Sequence, residues 1–316
     1  MYRIVDPVKR FCKAYTIILI LVFMIVLLSA CTDRFLSVDN FMNLFLQSNL
    51  YGIMALGVGM LLICGYFDLS VGMIMSLAAN VVIIMTNYNT WLGIMAAMAA
   101  GVLIGLVNGF CVTKLRLNSL VVTLVAEVGL HGVIFLMTGA KSHIGASYGF
   151  KLFGSVAIFG VSVLTWIWLV LALLFAFLLK YTRHGRMTYA IGSNLATAVN
   201  SGIQVDKVIM KNYVLCGAVA ALAGVLQAAR LNSVSPGLGW SDASMDVLTC
   251  VVLGGVKMKG GSGKVLHMVL GVLAIIMIQK GINMLNLQSY WKTLAMGLIL
   301  LIIIISDKVV AKETMI

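Results

Sequence analysis

The chain has 316 residues, of which 62% are apolar and only 10% charged, against about 45–50% and about 25% in ordinary soluble domains. Mean hydropathy is +1.08, with two prolines beside 31 glycines. These figures exclude a soluble enzyme, a disordered tail and a nucleic-acid-binding module, and they leave an all-α integral membrane protein whose net charge of +12 must be placed relative to lipid.

A helix crossing about 30 Å of hydrocarbon needs roughly 20 apolar residues. Runs of that kind fall, in chain order, at 15–31, 41–64, 69–85, 91–112, 120–138, 161–179, 213–230, 246–256, 265–285 and 291–305. The first is read as a span, because its 17 residues are long for a cleaved leader and Ser29-Ala30-Cys31 is a poor processing site. The second and third meet in a glycine-bounded polar link, and the eighth is too short to cross alone. Each is read as a broken or re-entrant segment, which membrane depth tolerates only inside protein. On the fourth run Ala97, Gly101, Gly105 and Gly109 form a ridge of small residues for close helix approach. The six cysteines (12, 31, 64, 111, 216 and 250) show no metal or redox spacing and read as packing residues.

Ten crossings from a cytoplasmic N-terminus return the C-terminus to the same side. Of the 22 Lys and Arg, 16 then lie inside and 6 outside, as the positive-inside rule requires. The positive charge is topological and calls for a lipid bilayer, with no nucleic acid as partner. Two connections are too long for turns: an outer one at 139–160 and an inner one at 181–212, the largest polar segment. Within the inner one, Asn194 stands as a helix cap ahead of Leu195, Ala196, Thr197, Ala198 and Val199, and Gly202 follows Ser201. A short helix over 194–201 at the cytoplasmic surface is expected, with a plain connecting loop as the alternative.

Little in the chain carries catalysis. The histidines at 131, 143, 184 and 267 make no metal pattern, and no nucleophile elbow is present. Gly260-Gly261-Ser262-Gly263-Lys264 looks like the end of a phosphate-binding loop, but Met258 and Val265 occupy the positions that need Gly and Ser or Thr. No catalytic residue, metal site or bound cofactor is expected, and nucleotide chemistry is left to another chain. Four polar residues within the runs, Asn80, Asn108, Glu127 and His131, are candidates for lining a polar passage. For the two amides the alternative is interhelical hydrogen bonding worth roughly 1 kcal/mol. For Glu127 and His131, one turn apart on one face, it is a helix–helix contact or a proton relay. The lack of a second buried acid argues against the relay.

Three segments together carry a resemblance. Gly65-Tyr66-Phe67-Asp68-Leu69-Ser70-Val71-Gly72 resembles the Gly-Gly-Ile-Asp-Leu-Ser-Val-Gly signature of permease subunits from ribose-type bacterial ABC importers. Thr182-Arg183-His184-Gly185-Arg186, continuing through Gly192 to Ser201-Gly202-Ile203, is similar to that family's large cytoplasmic loop. Val251-Val252-Leu253-Gly254-Gly255 with Gly260-Gly261-Ser262-Gly263 is similar to its glycine-rich turn. The order and spacing agree over roughly residues 40 to 305.

The resemblance implies one transmembrane permease domain over 1–316 in the bacterial cytoplasmic membrane, paired with a second permease subunit, identical or related. ATPase subunits that bind ATP and magnesium would dock below it, and an extracytoplasmic sugar-binding protein above. The helix around Asn194, Ala196, Thr197, Ala198, Ser201 and Gly202 would be the ATPase-coupling peg. Asp68 and Ser70 would cap the helix start at the break, and Gly65 and Gly72 would let the backbone turn there. The family's two glutamates and arginine along the peg are missing, with Leu195, Thr197 and Val199 in the segment. His131 replaces a common Arg, Ser244 a Glu, and Val256 and Lys257 a Thr-Ser pair. These departures suit one half of a heteromeric permease. The sequence thus reads as the translocation subunit of an ATP-driven importer for a ribose-, xylose- or galactose-like monosaccharide. Its rivals are an ion-coupled secondary transporter, a membrane-embedded enzyme, and an importer of branched-chain amino acids or nucleosides on the same scaffold.

Overall fold

The computed structural model describes residues 7–31, 35–239, 242–285 and 288–313. Arg3, Arg34 and both chain ends, used above to orient the protein, lie outside the described residues, as do the side chains of Cys12 and Cys31. Helices occupy all ten apolar runs: α1 (Pro7–Cys31), α2 (Val38–Ile63), α3 (Val71–Met85), α4 (Thr90–Thr113), α5 (Ser119–Thr138), α7 (Val163–Tyr181), α10 (Val205–Leu231), α11 (Asp242–Leu253), α12 (Val265–Met284) and α13 (Ser289–Glu313). Three more, α6 (Tyr148–Ser155), α8 (Arg183–Ser193) and α9 (Leu195–Asn200), lie in the two long connections. Strands are limited to two-residue pairs, β1 (His143–Ile144) with β4 (Ser233–Val234) and β2 (Ala157–Ile158) with β3 (Val161–Ser162), both antiparallel. Among the described residues, α2, α4, α5, α7, α10 and α12 are long and apolar enough to cross a membrane.

Polar residues ahead of each apolar run explain many helix starts. The side chains of Ser37, Asn89, Asn118, Ser162 and Thr182 accept hydrogen bonds from the first-turn N–H groups of α2, α4, α5, α7 and α8. Hydropathy placed the starts of α1 and α10 eight residues late. α10 begins at Val205, eight residues before the apolar run, because Lys207, Lys211 and Asn212 are polar yet helical. The inner connection is therefore two helices and the first turns of a third, rather than a loop around one short helix.

At the centre α10 packs on α2, α3 and α4. The ridge Ala97, Gly101, Gly105 and Gly109 is buried; a Cβ on Gly105 would touch the backbone of Tyr213, and one on Gly101 would meet Gly217 and Ala221. Such close approach replaces the hydrophobic drive that lipid cannot supply between helices. Large apolar side chains stay exposed on α4, α5, α7 and α13, among them Leu103, Val125, Leu173 and Leu301, as suits helices that face lipid or another apolar helix. Cys64, Cys216 and Cys250 are buried and free, and Cys111 is half-buried and free.

Candidate functional site

Two short helices meet inside the bundle. Twelve residues of α11 and 15 of α3 span about 18 and 22 Å at 1.5 Å per residue, less than the hydrocarbon thickness. The N–H of Gly72, at the start of α3, donates to Ser244 Oγ, near the start of α11, at 3.0 Å. From that point α3 runs toward Thr86, which accepts from the N–H of Ala146 in the outer connection at 3.0 Å. α11 runs the other way, and its end at Gly254 packs on the beginning of α12 at His267. Irregular backbone at this depth is tolerated because protein surrounds it.

The link between α2 and α3 satisfies its backbone groups one by one. Gly65, at φ +87°, bonds back to Leu62 O at 2.9 Å. Phe67 O accepts from Tyr213 Oη at 2.8 Å, and Asp68 Oδ1 accepts from both the N–H and the hydroxyl of Ser70 at 2.9 and 2.6 Å. Two details differ from the sequence reading. Ser70, at the cap position, makes no side-chain cap bond; its hydroxyl is engaged by Asp68 and accepts from Asn108 Nδ2 at 2.9 Å, so Ser244 reaches in from α11 to take the free N–H of α3. Gly72 is needed for close approach rather than for a turn: a Cβ there would stand 2.8 Å from Gly239 O and from Ser244 Oγ.

All three resembling segments converge at the end of α2. Ile63 O accepts from the N–H of Gly261 in the glycine-rich turn at 2.8 Å. Gly192, near the end of α8, lies so close that a Cβ on it would collide with that same carbonyl and with Gly261 N. Tyr189 Oη donates to Gly263 O at 2.7 Å, and burial raises its pKa above the ordinary phenol range. α8 is also tied to α10, where the buried Asn212 meets His184 Nε2 at 2.7 Å and donates to Thr188 Oγ1 at 3.4 Å. The inner helix pair is thus fastened by backbone contacts to the α2–α3 link and to the turn that leads into α12.

The helix expected over 194–201 is α9. Asn194 Oδ1 accepts from the N–H of Thr197 at 3.0 Å, Ser201 ends the helix, and Gly202 has φ +76°. Leu195 and Val199 are exposed while Ala198 is buried beneath the helix; Ala196 and Thr197 are exposed as well. Beside it, Arg116 from the α4–α5 link makes a two-pronged contact with Asp206 at 3.0 and 3.3 Å. Both groups are open to solvent, so Arg116→Ala should change unfolding free energy by less than about 1 kcal/mol, measured by denaturant titration in detergent.

The four polar candidates separate. Asn80 is fully buried and donates to Ser76 O of its own helix at 2.9 Å. Asn108, 1% exposed, is bound into the helix break. Both lie within the packing of α3 and α4. Glu127 is buried on the face of α5 that meets α3, and one turn on the His131 ring packs edge-on against Phe135 at 4.5 Å. Glu127 is also not the lone buried acid: Asp68 and Asp246 of α11 are buried too. Asp246 pairs with Lys292 Nζ at 3.2 Å and accepts from Gln279 Nε2 at 3.0 Å, joining α11, α12 and α13. Sequence reasoning missed this triad, because Asp246 and Lys292 each lie at the edge of an apolar run and resemble ordinary flanking charges.

Comparison with known proteins gives a consistent set. Residues 40–304 match the family described as branched-chain amino acid transport system / permease component. The chain is 32% identical over 309 residues to the ribose import permease protein RbsC of Escherichia coli (strain K12), covering 95% of this chain and 96% of that protein. It is 32% identical over 290 residues to the ribose import permease protein RbsC of Bacillus subtilis (strain 168), covering 90% and 89%. With the autoinducer 2 import system permease protein LsrC of Salmonella typhi it shares 32% over 295 residues, covering 92% and 84%. No solved structure matches the chain.

Proposed function

The chain belongs to the family of branched-chain amino acid transport system permease components, a family of multi-pass membrane transport proteins, and on that premise we propose that it is the translocation subunit of an ATP-driven importer for a ribose-like monosaccharide. In this reading 1–316 is one permease unit with both termini cytoplasmic. It forms the pathway with a second permease chain, receives solute from an extracytoplasmic binding protein, and has no catalytic residue or cofactor of its own. ATP and magnesium belong to separate ATPase subunits docked on α9.

One observation carries the proposal: the meeting of Gly192, Ile63 and Gly261. A push on α9 moves α8, and α8 cannot move without displacing the ends of α2 and the turn before α12. Those two ends hold the half-length helices α3 and α11, whose starts meet inside the bundle. Nucleotide-driven motion below is thereby delivered to the one place where the backbone is already broken, which is where a pathway can open at least cost.

The test separates energy use from transport. Ala198→Glu places a carboxylate under α9, where the native side chain is 2% exposed. Gly202→Pro demands φ near −65° where the backbone holds +76°. Each should leave the protein in the membrane and ATP hydrolysis by the assembled complex running, while uptake of labelled sugar falls about tenfold or more. Normal uptake in both variants refutes the assignment of α9.

The burial of Asp68 and Glu127 favours one second reading, a proton-coupled transporter that works alone. It predicts uptake that collapses with the proton gradient while ATP is held constant. The ATP-driven reading predicts the reverse.

A further inference from the structure

We infer that the cavity between α8 and the first turns of α10 is a binding site for the phosphate head group of an anionic phospholipid. The cavity measures about 620 Å³, within the range of small-molecule sites. Arg183 and His184 enter it from the start of α8, and Lys207 and Lys211 from α10, one turn apart on one face, while Ser201 and Gly202 at the end of α9 close the side next to that helix. No Asp or Glu lines it. The nearest acid in sequence, Asp206, is engaged by Arg116 and Lys114 at 3.0 and 3.9 Å instead. Among the described residues none of Arg183, Lys207 and Lys211 has a carboxylate within ion-pair distance. Three uncompensated cations around one concavity form a receptor for a multiply hydrogen-bonding anion, and phosphate is the anion whose geometry suits Arg and Lys donors together.

Depth identifies the source of the phosphate. The 27 residues of α10 extend about 40 Å, some 10 Å beyond the hydrocarbon core, and its apolar run starts only near Tyr213. The segment carrying Lys207 and Lys211 therefore projects into the head-group layer. The neighbouring wall gives the same level. α7 ends at Tyr181, 60% exposed, with Lys180 Nζ 4.9 Å from its ring centroid, and aromatic and basic residues of this kind mark the membrane–water boundary. Arg183 follows two residues later. Met187 and Val208 supply an apolar side to the same cavity, suited to the glycerol and first methylenes of a lipid. A cationic pocket between helices at head-group depth on the cation-rich side is the arrangement that retains acidic lipids. The inference does not depend on which solute the protein carries.

The test uses the full purified chain, delipidated and examined by native mass spectrometry with added phosphatidylglycerol, phosphatidylcholine or inorganic phosphate. The wild type should retain phosphatidylglycerol in preference to phosphatidylcholine, with retention falling as salt is raised. Lys207→Gln with Lys211→Gln should weaken retention about fivefold for each cation removed, whereas Lys207→Arg with Lys211→Arg and the distant Lys141→Gln should retain it. Equal retention of the two lipids overturns the site, as does a glutamine pair that binds like the wild type. Loss in the arginine pair also overturns it, since charge would not then be the cause. Displacement by inorganic phosphate as effective as by lipid assigns the pocket to a soluble anion instead. A glutamine pair that keeps its lipid but releases the ATPase subunit from the assembled complex assigns it to the protein partner.

Discussion

Gly192→Val should abolish sugar uptake while the complex continues to assemble and hydrolyse ATP. The glycine stands where α8 touches the end of α2, and any β-carbon there collides with Ile63 O, an oxygen already bonded to Gly261 N. Backbone cannot swing aside as a side chain can, so α8 must lift. Lifting it stretches the Tyr189–Gly263 hydrogen bond of 2.7 Å and loosens the backbone joint through which, in the proposed function, α9 would push on the half-length helices. Overpacking of this kind costs about 1–3 kcal/mol, a modest part of a polytopic bundle's stability but enough to shift the joint. Membrane abundance and hydrolysis should stay near wild type, with uptake reduced by about two orders of magnitude, the upper range of coupling energies. Tyr189→Phe should act in the same direction but more weakly, because it leaves the Gly263 carbonyl short of one donor without forcing the backbone apart. Full transport in Gly192→Val would show that the inner helices do not drive the pathway through this contact.

The sequence made the membrane architecture legible and the joint only half so. Hydropathy located every spanning run because lipid demands a continuous apolar surface, and the short eighth run was visible as too short. What hydropathy missed was polar helix. α8, with Arg183, His184 and Arg186 among its 11 residues, has no apolar stretch to advertise it, and the first two turns of α10 are charged because they leave the hydrocarbon. The glycines at 65, 192, 260 and 261 stood out as motifs. That they cluster at the end of α2, with Gly192 and Gly261 both at the Ile63 carbonyl, is a tertiary fact joining residues nearly 200 positions apart, which no local pattern encodes. The same is true of Ser244: as a replacement for a family glutamate it looks like a loss, yet its hydroxyl is what reaches the N–H of Gly72.

The peg raises a related point. α9 carries no charged residue, and the cations that flank it, Arg183, Lys207 and Lys211, lie in the neighbouring cavity. In the proposed complex an uncharged α9 would meet its partner through the exposed Leu195, Ala196, Thr197 and Val199. Such contact transmits force by shape and buried apolar area, not by charge pairing. It fits a chain that shares an ATPase pair with a second permease whose own peg supplies the polar contacts.

Breaking the Asp246–Lys292 pair from either side should destabilise the bundle strongly. The Asp246 carboxylate is 4% exposed and holds Lys292 at 3.2 Å and Gln279 at 3.0 Å, so one side chain fastens the half-length α11 to α12 and α13. Removing one partner of a buried ion pair costs about 3–5 kcal/mol, because the surviving charge is left without compensation. Lys292 keeps 30% of its side chain exposed and recovers some hydration, which places Asp246→Ala near the lower end, about 3 kcal/mol. Lys292→Met alone strands the carboxylate in a drier place and should cost as much or more. The double variant, Asp246→Ala with Lys292→Met, removes both charges together and should recover at least about 1 kcal/mol of the summed loss, the signature of direct coupling in a double-mutant cycle. Unfolding free energies from detergent titration supply all four corners of that cycle. Simple additivity would mean that the two charges do not meet, and that α11 is anchored by its apolar contacts with α2 and α12 instead.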